Sequence, residues 1–281
     1  YTIATDPEAT GTTVGVSTTM AARDQTTLGA YRQQMIERIF SGLLSARLSE
    51  MAQKPGAPFL DAQTNRGIFV QSAEATTLIA LVADGGVEKG LAALFAEADR
   101  VAKFGFTQTE LDRYRLTMLK FFEQLAASKD EHTSESLADE FIRNFMQREP
   151  IPGIAYEYAL VRRFMPEVTL ADVNSLAGDW VPDRNRVVAV TAPRKDGVAV
   201  PTEAALAAVI KNAGAGALTA YVDTVSATPL LDPLPKPGAV ATAASKPAGM
   251  TEWTLDDGRT GYGLSEYLDQ IIDGAPVGIA E

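Results

Sequence analysis

The most constraining stretch of this chain runs from Tyr31 to Arg66, YRQQMIERIFSGLLSARLSEMAQKPGAPFLDAQTNR. Tyr31, Met35, Ile39, Phe40, Leu43, Leu44 and Leu48 recur three and four residues apart, so a helix over roughly Thr27 to Gln53 carries one continuous apolar stripe. Arg32, Glu37, Arg38, Arg47 and Glu50 occupy its other face. Lys54-Pro55-Gly56-Ala57-Pro58 then forbids helix, because proline lacks an N–H and pushes its predecessor toward extended backbone. A stripe of that length needs a broad apolar partner, and the neighbouring segments supply strands to make one.

Before the helix, Thr12-Thr13-Val14-Gly15-Val16-Ser17 alternates as a strand does, after a turn-like Asp6-Pro7-Glu8-Ala9-Thr10. After it come an extended piece near Phe59 to Thr64, a turn at Asn65-Arg66-Gly67, and strands over Ile68–Ala73 and Thr77–Ala83. Short connections among these strands predict an antiparallel meander. Several helices follow. Val87, Leu91, Leu94, Phe95, Ala98 and Val101 make one stripe, and Thr107 with Glu110 forms a capping box that opens the next helix. A helix over about Ser134–Gln147 is expected to bury Leu137, Phe141 and Phe145, with Ile142 beside them. Further helices are expected over Ile154–Phe164 and from a cap at Thr169 to Trp180. A strand at Val187–Thr191 and a helix from Thr202 to Lys211 complete residues 1–217.

Helices bunched between antiparallel strands predict an α+β fold, an antiparallel sheet with helices packed on one face. Residues 218–250, with Pro229, Pro233, Pro235, Pro237 and Pro247 among alanine and threonine, read as an extended linker. Residues 251–281 read as the start of another domain, its segment from Gly261 to Leu268 turning helix-like.

The formal charge of -11 repels phosphate backbones, and no basic cluster offsets it, so nucleic acid is an unfavourable partner. No apolar run approaches a membrane span. With no cysteine there is neither a disulfide nor a thiolate metal site, a composition that favours a periplasmic over a cytoplasmic setting. The chain opens on Tyr1 with no basic segment and apolar run behind it, so its natural N-terminus is expected upstream.

Candidate chemistry is sparse. The single histidine begins His132-Thr133-Ser134-Glu135-Ser136, which fills four places of H-x-x-E-H and puts Ser136 in the fifth. Catalytic zinc takes three protein ligands, and no second imidazole exists, so His132 reads as a polar residue at a helix start. Glycine-rich phosphate loops and the nucleophile elbow are absent from the sequence. No catalytic or metal-binding residue is therefore assigned.

The strings RIFSGLLSARLSEMAQKPGAPFLDA and YEYALVRRFMPEVTLADVNSLAGDWVPDRNRVVAVTAP resemble the pitrilysin/insulinase family of zinc metallopeptidases, in particular its bacterial two-half members. The likeness spans about Asp6 to Pro193, and Trp253-Thr254-Leu255-Asp256-Asp257-Gly258 resembles the opening strand of the next family domain. It implies a domain like those of the mitochondrial processing peptidase. The place it gives this chain is the second, non-catalytic domain of the N-terminal half, with the zinc motif on a catalytic domain upstream. In the family a far half supplies an arginine and a tyrosine to the reacting carbonyl; the matching TTLIALVADGGVEK, from Thr76, has neither.

What the resemblance implies is a wall of the substrate chamber in a zinc protease that degrades peptides or unfolded proteins, with zinc in the parent enzyme and none in this chain. It also implies a strand edge at Phe59, Leu60 and Asp61 that anchors substrate by β-augmentation. An inert paralogue acting as a scaffold is the alternative, and an unrelated enzyme centred on His132 a more distant one.

Overall fold

The computed structural model describes residues 1–131, 133–195, 197–213, 216–225, 231, 233 and 238–264. Contacts divide the chain into two compact units, Tyr1–Asp223 and Thr224–Glu281. His132, Gly214 and the tail from Ser265 onward lie outside the described residues.

The first unit begins with strands β1 (Thr2–Asp6) and β2 (Thr12–Ala21). Helix α1 (Leu28–Ala52) follows, started by Thr27, whose side chain accepts the Ala30 N–H at 3.1 Å. Its apolar stripe is the heart of the core: Met35, Ile39, Phe40, Leu43, Leu44 and Leu48 are all buried. Phe40 lies against Trp180, ring centroids 4.3 Å apart, and meets Phe106 edge-on at 5.2 Å.

Strands β3 (Asp61–Val70) and β4 (Ala73–Val82) form a hairpin that turns at Gln71-Ser72. The turn chemistry of Asn65-Arg66-Gly67 is overridden, and these residues pair in mid-strand with Thr77, Thr76 and Ala75. Arg66 explains why. Its guanidinium reaches Glu37 and Glu74, each at 3.4 Å, which holds the stretch extended.

Next come α2 (Val87–Phe104), α3 (Gln108–Ala127), α4 (Ser134–Gln147), α5 (Ile154–Phe164), α6 (Leu170–Asn174) and α7 (Ala177–Trp180). Capping boxes start α3 at Thr107/Glu110 and α6 at Thr169/Asp172. Strand β5 (Arg186–Pro193) and α8 (Glu203–Ala213) complete the regular elements of this unit.

The sheet order is β1-β5-β2-β4-β3. Helices cover one face, as in an α+β fold, but the sheet is mixed, because β1 pairs parallel to β5. The meander is replaced by a crossover: β4, and not β3, lies beside β2, which leaves β3 at the edge beside α1. Even-numbered residues such as Val14, Val16, Leu78, Ala80, Val82, Val188 and Val190 point into the core. Thr13, Ser17, Thr77 and Thr191 lie on the opposite, more open face, where Ser17 and Thr77 share a hydrogen bond of 3.2 Å.

Two further expectations are corrected. Helix α4 forms within the expected range, but none of its residues is buried. Phe141 is 61 % exposed and Phe145 84 %, because nothing in its own unit lies over its apolar side. The beginning of the expected linker is likewise bound to the first unit: Arg100 Nη1 donates to the Thr219 carbonyl at 2.8 Å, and Tyr221 Oη to Glu50 at 2.7 Å. The Tyr221 ring stacks on the buried Arg47 guanidinium at 4.2 Å, while Arg113 pairs with Asp223 at 2.6 Å.

In the second unit, β6 (Val240–Ser245), β7 (Met250–Leu255) and β8 (Thr260–Leu264) make an antiparallel sheet. Residues 240–245, expected as linker, form a strand because Val-Ala-Thr-Ala-Ala-Ser contains no proline and pairs with β7. The segment from Gly261 to Leu264 is strand and not helix. The Trp253 indole lies across Gly261 and Gly263, where a Cβ would stand 2.7 Å and 2.6 Å from the ring.

Candidate functional site

Of the three residues singled out for substrate, Phe59 lends its ring to the core and is 2 % exposed. Leu60 donates its N–H to the Leu81 carbonyl at 2.7 Å and leaves its side chain 63 % exposed. Asp61, the first residue of β3, is exposed on the surface. Three residues further on, Thr64 is engaged by α1: its N–H donates to Ser45 Oγ at 3.0 Å, and Ser45 Oγ donates to its carbonyl at 3.3 Å. This end of β3 is therefore occupied by the protein itself.

Beyond Thr64 the edge meets a cleft of about 380 Å³. Asn65, Arg66, Gly67 and Ile68 of β3 form one wall, and Gln34, Arg38 and Ser41 of α1 form another. Gln147, the last residue of α4, and Glu149, just past it, close one end. The Thr64 N–H turns away from β4 toward Ser45. Strand alternation turns the main-chain groups of Arg66 the same way, toward the cleft.

The floor is a ring of four charges. Arg23 donates to Glu37 at 2.7 Å and to Glu74 at 2.8 Å, while Arg66 approaches both carboxylates from the other side. The Arg23 main-chain N–H adds a third link, to Glu74 at 3.0 Å. Hydrogen bonding to Glu37 raises the Arg23 guanidinium further above its ordinary range, against the opposing effect of burial. Burial pushes the Glu74 carboxyl up, but the bonds from Arg23 outweigh it and hold the group below its ordinary value. Two positive and two negative groups cancel and satisfy one another. The cleft thus offers exposed main-chain groups of β3 beside polar side chains of α1.

Zinc does not fit the residues present. Glu135 is exposed in the first turn of α4, and Ser136 stands where a second imidazole would be needed. Among the described residues no group of His, Cys, Asp or Glu is placed to hold a metal ion, and no helix is long and apolar enough to cross a membrane. Arg23, Glu37, Arg66 and Glu74 meet beneath the cleft, and their spacing along the chain gives no sign that they do.

No family model matches the chain. It is 28 % identical over 169 residues to a zinc protease PQQL-like protein of Arabidopsis thaliana, a match covering 60 % of this chain and 15 % of that protein. It is also 25 % identical over 169 residues to a probable zinc protease PqqL of Haemophilus influenzae, covering 59 % and 18 %. The chain thus spans under a fifth of the curated relatives it matches. In fold it is similar to the periplasmic protease PqqL of Escherichia coli, with a TM-score of 0.70 at 17 % identity, over 93 % of this chain and 29 % of that one. The chain is thus similar in sequence to two zinc proteases and in architecture to a third, while its own sequence holds no complete H-x-x-E-H.

Proposed function

We propose that this chain is a substrate-holding wall of a zinc protease that degrades peptides or unfolded proteins. It would bind an extended segment of substrate along β3 while hydrolysis takes place on other parts of a longer protein. The observation that carries the reading is the cleft beside Asn65–Ile68, where a strand edge continues past the point at which Ser45 covers it. A peptide there gains main-chain hydrogen bonds whatever its sequence, which suits a protease acting on many substrates. The anchoring stretch is Asn65–Ile68 rather than Phe59–Asp61, with Leu60 exposed just before the strand and Asp61 exposed at its start. The open, hydroxyl-rich sheet face suits the wall of a chamber that holds peptides. The periplasmic name of the Escherichia coli neighbour, together with the absence of cysteine, supports a setting outside the cytoplasm.

The test is fluorescence anisotropy of a labelled, unstructured dodecapeptide titrated with the purified chain. A twin peptide N-methylated at alternate residues should bind at least about tenfold more weakly, since it loses the donors that pair with an edge. Ser41→Trp, which fills the cleft from α1, should weaken the unmodified peptide similarly. Equal affinity of both peptides, with no effect of Ser41→Trp, would overturn the reading and leave an inert scaffold as the better one.

A further inference from the structure

Helix α4 is built the wrong way round for its own unit. Leu137, Phe141 and Phe145 recur at every fourth residue, and Ile142 and Met146 widen the apolar arc to about half the helix. All five are exposed. The least exposed residue of the helix is on the other side: Glu140, the one half-buried position in α4. Polar contacts attach it to its unit. Gln71 Nε2 in the β3–β4 turn donates to the Met146 carbonyl at 2.9 Å, and Asn144 Nδ2 to the Glu149 carbonyl at 2.6 Å.

The helix is nonetheless well specified. Thr133 caps its start by accepting the Ser136 N–H, and Arg148 ends it in a left-handed conformation at φ 58°. A short helix like this is marginal unless an apolar face packs on something. Its partner must then lie outside the unit.

We infer that the apolar arc of α4 is the seat of a neighbouring domain of the same, longer polypeptide, an inference that rests on reading this chain as one part of a larger protease. Two observations favour that occupant. The chain accounts for 15 % and 18 % of its two relatives and for 29 % of the Escherichia coli chain, so most of each molecule lies beyond the matched part. Beyond Glu135 in the first turn the arc also contains no charge, the composition of a permanent interface and not of a transient encounter. A membrane surface fits poorly, because the helix carries Glu135, Asp139 and Glu140 against the single Arg143. Seated on α4, the neighbour would adjoin the end of the cleft formed by Gln147 and Glu149.

Hydrogen exchange of residues 137–146 tests this, compared between the 281-residue chain and the full-length natural protein. Exchange should slow at least about tenfold in the full-length protein. Phe141→Asp with Phe145→Asp should lower the melting temperature of the full-length protein by roughly 3 °C or more and leave that of the isolated chain unchanged. If the double variant fails to fold, Phe145→Gln alone serves the same comparison. Equal exchange in both proteins would overturn the inference. So would protection in the isolated chain that grows with its concentration, because the occupant would then be a second copy. The result is independent of peptide binding: a chain that binds no peptide but gains protection over α4 would sink the proposed function and leave this inference standing.

Discussion

Helices α1 and α4 are both amphipathic, both capped by threonine, and both legible from their spacing, yet one is sealed and the other is bare. In α1, Ile39, Phe40, Leu44 and Leu48 are at most 1 % exposed. In α4 the corresponding apolar side faces outward. Periodicity therefore says which side of a helix is apolar, and says nothing about who covers it. The cover of α1 comes from its own unit, through β3, α3, Trp180 and Phe106, whereas α4 turns its acidic side inward.

The largest expected effect breaks the sealed helix. Phe40→Ala removes a ring packed between Trp180 and Phe106 and should cost about 3–5 kcal/mol in urea unfolding. A loss under about 1 kcal/mol would mean that α1 is no better covered than α4. Next is Gly42→Ala, whose Cβ would run into the Tyr114 ring from α3; a cost of about 1–3 kcal/mol is expected, opposite to the usual gain of alanine in a helix. A stabilised variant would show that this helix contact yields easily.

A smaller effect concerns Tyr221, which reaches α1 from the segment following α8. Tyr221→Phe removes the hydrogen bond to Glu50 and should cost about 0.5–1.5 kcal/mol by thermal unfolding. The acid limb of stability gives a further check on the polar flank of α1. Glu74 is held below its ordinary value, so its contribution is complete above that value and drains away as the pH falls through the lowered one. Urea midpoints followed downward from neutral pH should therefore fall less steeply for Glu74→Gln than for the parent chain, and parallel slopes would contradict the assignment. The smallest effect is in α4: Phe145→Ser in the isolated chain should change stability by no more than about 0.5 kcal/mol, because the ring touches little there.

These contrasts also explain how much could be read in advance. The bounds of α1 and α5, the capping box at Thr107 and the cap at Thr169 follow from local chemistry, and local chemistry survives in the folded chain. Elements governed by distant partners were hidden. Asn65-Arg66-Gly67 has turn composition, but Glu37 and Glu74 keep Arg66 in a strand. Strand β1 has one strong apolar residue, Ile3, and is stabilised by parallel pairing with a segment almost two hundred residues away. The glycines of β8 look unsuited to a strand until Trp253 is seen lying across them. For the site, the resemblance implied a strand edge at Phe59–Asp61, but the cleft sits further along the chain, since only the structure reveals which part of β3 Ser45 occupies.

The hydroxyl of Ser45 also bears on what this sheet cannot become. An uninterrupted bare edge is a template on which identical chains can polymerise, strand upon strand. At Thr64 both outward main-chain groups are taken by one side chain from α1, so a second copy cannot zip along the full ten residues of β3. The opposite edge, β1, is only five residues long and is followed at once by Pro7, which offers no N–H. A sheet with one short open stretch along β3 is in this way protected from its own kind, and Ser45→Ala is where that protection would first weaken.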